Sequence, residues 1–371
     1  MTEPFKIAIA GLGTVGQGVV DIIQSNADLI AARTGRRVEL VAVSSANKAK
    51  ARSVDISAYQ WVDDARELAS LPDVDCVIEL IGGEDGIAHE LTEQALENGK
   101  HVVTANKAMV ARHGLKLAQK AEYKSVALKY EAAVAGGIPA IKTLKQGLAA
   151  NNIRSVFGIL NGTCNFILSE MGLSGRAFDD VLSEAQAKGY AEADPTFDID
   201  GIDTAHKLCI LSALAFGIKP DLDNVLENTR GIRGISSLDL KIADELGYKI
   251  KLLGQAHQDE HGNISQSVAP CFVKKSVPLA SVDGSFNAVF FDADHADQIV
   301  NIGRGAGAGP TASAVVADIM DVMRGDVGTV FAVPASQYKD ASYMDDHSDE
   351  AQYYIHLAVE DKPGVMANIS S

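Results

Sequence analysis

Residues 6–24 read KIAIAGLGTVGQGVVDIIQ, and this stretch decides how the first part of the chain folds. Residues 6–10 are a short apolar run suited to a buried strand, and VVDIIQ spaces its apolar residues at helical period. Between them stands G-x-G-x-x-G on Gly11, Gly13 and Gly16. In such a strand–turn–helix setting Gly11 permits the tight turn, Gly13 lets backbone approach a pyrophosphate, and Gly16 lets the helix close on the strand. The helix N-terminus adds partial positive charge and unpaired N–H groups. A dinucleotide-binding unit is expected, although glycine turns also arise for backbone reasons alone.

Further strand signals follow at 38–43, 75–81, 101–104 and 127–132, each separated from the next by a helical stretch. That alternation predicts a doubly wound parallel sheet, an α/β domain of Rossmann type. The second strand ends in Ser44-Ser45-Ala46-Asn47-Lys48, where an NAD-preferring domain carries an acid for the ribose hydroxyls. Ser44, Ser45, Lys48 and Arg52 offer instead a seat for a 2′-phosphate, so NADP is favoured over NAD; Lys48 and Arg52 as plain surface charges is the alternative. Lys107, in TANK at the carboxyl end of a strand, reads as a cofactor or substrate contact rather than a surface lysine. Glu131 lies in an apolar run and needs a cation, an arginine or backbone N–H groups as partner.

Near residue 150 the pattern changes. A strand at 153–160, a turn and helix cap at 161–163 and a helix starting at 166 precede a hairpin of 250–258 with 264–273 and strands at 287–292 and 298–302. This predicts an α+β catalytic domain. The expected division is 1–135 for nucleotide binding, 136–305 for catalysis and dimerisation, 306–345 as return helix and linker, and 350–371 as the start of another unit. The helix at 306–325 is expected to rejoin the first domain, with Gly305 facing the nucleotide or, alternatively, serving as a plain linker.

The densest ionisable stretch is GYAEADPTFDIDGIDTAHK, residues 189–207. Asp203 and Lys207 stand four apart, on one face of a helix that runs on as KLCILSALAF. A lysine in apolar surroundings is rarely buried without a partner, so the pair reads as a site, with a structural salt bridge as its rival. His206 points about 100° away from Lys207 and takes no part. His257, His261 and His347 lack metal-ligand spacing.

The net charge of -16 over 371 residues argues against nucleic-acid and anionic-membrane partners. Cys76, Cys164, Cys209 and Cys271 form no CxxC and read as reduced, packed cysteines. The sequence enters a strand within five residues, shows no leader, and has no window of the ~20 apolar residues a membrane span needs. A cytoplasmic protein is expected.

GLGTVGQG, TANK, YEAAVAGGIP, LNGTCNFIL, GYAEADPTFDIDGIDTAHK and GRGAGAGPTAS stand in one order. Together they resemble homoserine dehydrogenase over residues 6–330. The resemblance implies reversible hydride transfer between NADP and the aspartate semialdehyde/homoserine pair, on the route to threonine, methionine and isoleucine. It implies Lys207 as general acid or base, Asp203 as a second substrate-site carboxylate, Glu192 as the group that binds the substrate amino group, and Lys107 beside cofactor and substrate. It adds Thr14, Val15, Gly189 and Gly305 to the cofactor contacts. Glu131 with the carbonyls of Val134, Gly136 and Ile138 is similar to the family's monovalent-cation site, described with sodium. A homodimer or higher homo-oligomer through the catalytic-domain sheet is implied as well.

The chemistry suits these residue types. Aldehyde reduction needs hydride at carbon and a proton at oxygen, and a cationic acid by the carbonyl meets the developing alkoxide charge. A dehydrogenase for a related small amino acid and a non-catalytic NADP- or amino-acid-sensing regulator are the other readings. The tail, with a strand at 353–359, a turn at 360–365 and residues 366–371, resembles the opening of an ACT regulatory domain. Such a domain needs about 60 to 70 residues to bury a core, so the ACT unit here is expected to be incomplete.

Overall fold

The computed structural model describes residues 3–344, 352–357, 359 and 362–370. Six strands, β1 (Phe5–Ala10), β2 (Val38–Ser44), β3 (Gln60–Trp61), β4 (Cys76–Glu79), β5 (His101–Thr104) and β6 (Leu128–Lys129), form one sheet in the order β3-β2-β1-β4-β5-β6. Every pairing is parallel. Such a sheet is covered on both faces, which is why all four residues of β4 are buried rather than every second one. The chain leaves β1 for β2 on one side and reaches β4 on the other, so the carboxyl edge of β1 is a switch point where ligands bind in open sheets.

The second sheet holds β7 (Ile153–Ile159), β8 (Tyr248–Gln258), β9 (Ile264–Lys274), β10 (Phe286–Ala293) and β11 (Asp297–Arg304), all antiparallel, in the order β11-β10-β7-β8-β9. Helices Gly162–Ser174 and Ile202–Phe216 pack against it. The second helix buries every residue from Asp203 to Leu214, charged ones included. The architecture is therefore α/β, with a Rossmann-type parallel sheet followed by a catalytic part built on an antiparallel one.

Helix Ala308–Met323 returns to the first sheet and packs on helix Thr14–Ser25. Val19, Val20 and Ile23 share one apolar core with Ala312, Val315 and Ile319. Fully burying a side chain of this size stabilises by about 1.5–3 kcal/mol, so this seam weighs heavily in the first domain.

Three expectations need correction. The strand expected at 75–81 stops at Glu79, because the amides of Ile81 and Gly82 donate to the Glu79 carboxylate, at 2.7 and 3.1 Å, instead of continuing the ladder. The strand expected at 127–132 is only Leu128–Lys129, and Glu131–Ala133 is a turn of 3₁₀ helix. There the Glu131 amide leaves the sheet to donate to the Asp318 carboxylate at 2.8 Å. In the tail, residues 352–357 form no strand; Tyr354 stacks on Phe272, and its hydroxyl donates to Asp239 at 2.8 Å. Helix Val365–Ser370 forms, whereas His347 and parts of the ACT-like segment, including Glu360 and Asp361, lie outside the described residues. Among the described residues no helix is long and apolar enough to cross a membrane.

Candidate active site

The glycine loop caps β1. Gly11 has φ +102°, and a Cβ there would lie 2.4 Å from the Leu80 carbonyl oxygen, so only glycine fits. A Cβ on Gly16 would lie 2.0 Å from the Gly11 carbonyl oxygen, whereas one on Gly13 would meet nothing within 4 Å. Gly13 thus faces open space at the start of helix Thr14–Ser25, which no side chain caps and whose first turn carries no acid. An uncapped, acid-free helix start beside a backbone with room above it suits a pyrophosphate.

Next to this loop opens a cavity of about 810 Å³, whose lining includes Val15, Lys107, Gly136, Gly189, Glu192, Asp198, Asp203, Lys207 and Gly305. Asp203 and Lys207 are 5% and 8% exposed, far from an ordinary surface pair. Lys207 Nζ donates to Asp203 Oδ2 at 2.6 Å and to the Leu160 carbonyl at 2.7 Å. Lys107 Nζ reaches Asp203 Oδ1 at 3.2 Å. Burial by itself pushes the Asp203 carboxyl up, but Lys207 and Lys107 outweigh it and hold Asp203 well below the usual carboxylate range. Asp203 is therefore ionised between two ammonium groups. An ammonium has three N–H donors, and Lys207 spends two on these partners, which leaves one for the cavity.

Lys107 is presented by its helix cap. Asn106 accepts from the Met109 amide at 3.1 Å and donates to the Gly83 carbonyl at 2.7 Å, tying the start of helix Lys107–Lys124 to the loop after β4. Glu192 is exposed on the opposite loop. His206 stacks edge-on against Phe197, and burial and Lys107 push it down to about 4, so it is neutral. The buried Asp203–Lys207 salt bridge thus lies on the wall of the cavity.

Three further polar groups line this cavity. Asp198 lines the cavity, with its pKa raised by burial and then by Asp203. Asn161, on the turn after β7, donates to both Asp198 and Asp203. Asn287 of β10 is 1% exposed, and neither polar atom of its side chain has a hydrogen-bond partner among the described residues. An orphaned amide on the cavity wall is what a polar ligand would satisfy. Asn161 and Asp198 lie in stretches quoted above that assign them no role, and Asn287, on β10, is brought in by the sheet alone. Gly305 is no plain linker: a Cβ on it would fall 2.1 Å from Asn287, and one on Gly136 would lie 2.4 Å from the Gly305 carbonyl oxygen.

The remaining expected residues stand apart from the cavity lining. Ser44 is buried at the end of β2, its carbonyl accepting from the Gly11 amide at 2.9 Å. Lys48 and Arg52 lie over the Trp61 ring, and Arg52 donates to the carbonyls of Asn47, Lys48 and Lys50. The Glu131 carboxylate accepts from the amides of Ile141 and Lys142 at 2.9 Å each. It borders a separate recess of about 170 Å³ with Lys142, Lys145 and Asp318. Burial and the neighbouring Asp318 push Glu131 up to about 7. Val134 and Ile138 are buried. Among the described residues no group of three or more His, Cys, Asp or Glu is placed to hold a metal ion.

The family models for homoserine dehydrogenase and for its NAD-binding domain match residues 139–320 and 11–131. Homoserine dehydrogenase of Pseudomonas aeruginosa is 44% identical over 375 residues, covering all of this chain and 85% of the relative. The chain belongs to the homoserine dehydrogenase family. Homoserine dehydrogenase of Neisseria gonorrhoeae is 46% identical over 377 residues, with the same coverage. A homoserine dehydrogenase crystal structure from Thiobacillus denitrificans superposes with a TM-score of 0.90 at 43% identity, over 99% of this chain and 85% of that one. A hyperthermophilic archaeal homoserine dehydrogenase in complex with NADPH superposes with a TM-score of 0.72 at 26% identity, over 86% and 97%. As a member of the family the protein is an NAD(P)-dependent oxidoreductase acting on a CH–OH group.

Proposed function

We propose that the protein interconverts L-aspartate 4-semialdehyde and L-homoserine with NADP, in the biosynthesis of threonine, methionine and isoleucine. The observation that carries this reading is the Lys107–Asp203–Lys207 cluster, with Asp203 and Lys207 buried, on the wall of a cavity that opens beside the glycine loop. When bound, the nicotinamide cofactor supplies or accepts the hydride. Gly11, Gly13, Thr14, Val15 and Gly16 would hold its pyrophosphate side, together with Gly189 and Gly305. Ser44, Lys48 and Arg52 receive the 2′-phosphate. Lys207 gives its proton to the carbonyl oxygen in reduction and recovers it in oxidation, steadied by Asp203 and the Leu160 carbonyl. Lys107 stands beside the reacting oxygen, and Glu192 takes the substrate ammonium.

For a monovalent cation the ligands we propose are the Glu131 carboxylate and the carbonyls of Val134, Gly136 and Ile138, all oxygen, as a hard cation prefers. Sodium there would relieve the negative charge that Glu131 and Asp318 share. The division into domains at 1–135, 136–305, 306–345 and 350–371 remains our reading, as does an ACT-type start to the tail. A homodimer through the second sheet accounts for Phe286, Val300 and Ile302, which are 41%, 36% and 54% exposed along β10 and β11. Four cysteines without a disulfide suit a reducing, cytoplasmic location.

Steady-state turnover of aspartate semialdehyde with NADPH and with NADH, side by side, tests the proposal. Turnover is expected with both and faster with NADPH. No turnover with either sinks the function, while equal rates undo only the cofactor preference.

A further inference from the structure

Asn161 sits at the joint between β7 and helix Gly162–Ser174, is 4% exposed, and uses every polar atom of its side chain. Its Oδ1 accepts from the Cys164 amide at 2.8 Å, which is the cap of the helix. That bond fixes the orientation of the amide, because the oxygen is committed to the helix and the NH₂ must face the other way. The other way lie two carboxylates. Nδ2 donates to Asp198 Oδ1 and to Asp203 Oδ2, both at 2.8 Å, one hydrogen to each.

The two carboxylates are unequal. Asp203 has two ammonium neighbours besides Asn161, whereas among the described residues Asn161 is the only side chain that donates to Asp198. The groups that face Asp198 are Asp203 and Lys207 of helix Ile202–Phe216 and Lys107 of helix Lys107–Lys124, with Glu192 and Asp194 on the same cavity wall. The Cys164 thiol meets its backbone carbonyl, and Asp200 is taken up by Arg233. Without a donor, a carboxylate half-withdrawn from water beside another anion takes up a proton or turns away.

We propose that Asn161 is a positioning residue: it uses the helix cap as an anchor to keep Asp198 turned to the cavity and at fixed separation from Asp203. The inference rests on the reading of Asp203 and Lys207 as the proton-transfer pair. The anionic wall it maintains faces a substrate that carries an ammonium, so its loss should register in substrate binding more than in the chemical step.

The experiment separates the cap from the clamp. Asn161→Ser keeps a good N-cap but has one short donor that cannot serve both carboxylates. We expect NADPH binding and melting temperature close to those of the unaltered protein, KM for the amino-acid substrate raised roughly ten-fold, kcat lowered by less, and the acid limb of kcat/KM moved to higher pH. Asn161→Asp keeps the acceptor toward Cys164 and puts an anion where the donor was, so the same limb should move further in the same direction. Unchanged KM and acid limb in both variants, alongside a Lys207→Ala variant that has lost turnover, overturns the role of Asn161 alone. Full turnover by Lys207→Ala overturns the proton-transfer reading, and this inference with it.

Discussion

The side of the cleft that we assign to the nucleotide is made of backbone, with Gly11, Gly13 and Gly16 setting how close main chain can come to main chain, whereas the side that we assign to the substrate is made of side chains, Asn161, Asp203 and Lys207 buried and Lys107 and Asp198 partly so. The first wall fails when an atom is added. The second fails when one is removed, because each charge there is held by another and breaking a buried pair leaves an uncompensated ion. Recognition of a common cofactor thus rests on shape, and the chemistry rests on charge.

Removing the ammonium from the substrate wall has the largest expected effect. Lys207→Ala should lower kcat by about 10²–10⁴ while NADPH still binds, measured by single-turnover kinetics and a binding titration. A variant that loses both alike would mean that the two walls are not separable. Adding a methyl to the other wall should give a split of its own. Gly16→Ala drives a Cβ into the Gly11 carbonyl and should destabilise the fold by about 1–3 kcal/mol, whereas Gly13→Ala should melt as before and bind NADPH less tightly. Equal melting temperatures for the two would show that the loop yields rather than dictates.

The smallest effect concerns Glu131, which belongs to neither wall. Its carboxyl rises from an ordinary 4.5 to about 7 in the folded protein. The folded state therefore holds a proton that the unfolded state has released, and this contribution to stability is full below pH 4.5 and is lost as pH climbs to about 7. Denaturant unfolding on either side of that window should show a fall that Glu131→Gln lacks and that added sodium reduces. An identical pH profile in the variant removes Glu131 as its source.

What the sequence disclosed follows from how local each feature is. The strand, glycine turn and helix at residues 6–24 are consecutive, and Asp203 and Lys207 are one helical turn apart, so both could be read directly. Asn161 contacts Asp203 across 42 residues of chain, and Asn287 enters the wall only because β10 pairs with β7. The strand ends misread at Glu79 and Glu131 share one cause: a carboxylate or its neighbour drew backbone amides out of the ladder, and periodicity carries no trace of that competition. The parallel sheet matched the alternation of strand and helix signals, although the two-residue β3 gave none, whereas the unpaired tail at 352–357 kept an alternating pattern without a partner strand to use it.

The return helix Ala308–Met323 also bears on how the protein is made. Val19, Val20 and Ile23 leave the ribosome well ahead of Ala312, Val315 and Ile319, which complete their core and are synthesised close to three hundred residues later. The nucleotide-binding domain must wait, its first helix half-covered, while the whole second sheet emerges. Such long-range closure slows folding and leaves apolar surface open to chaperones in the meantime.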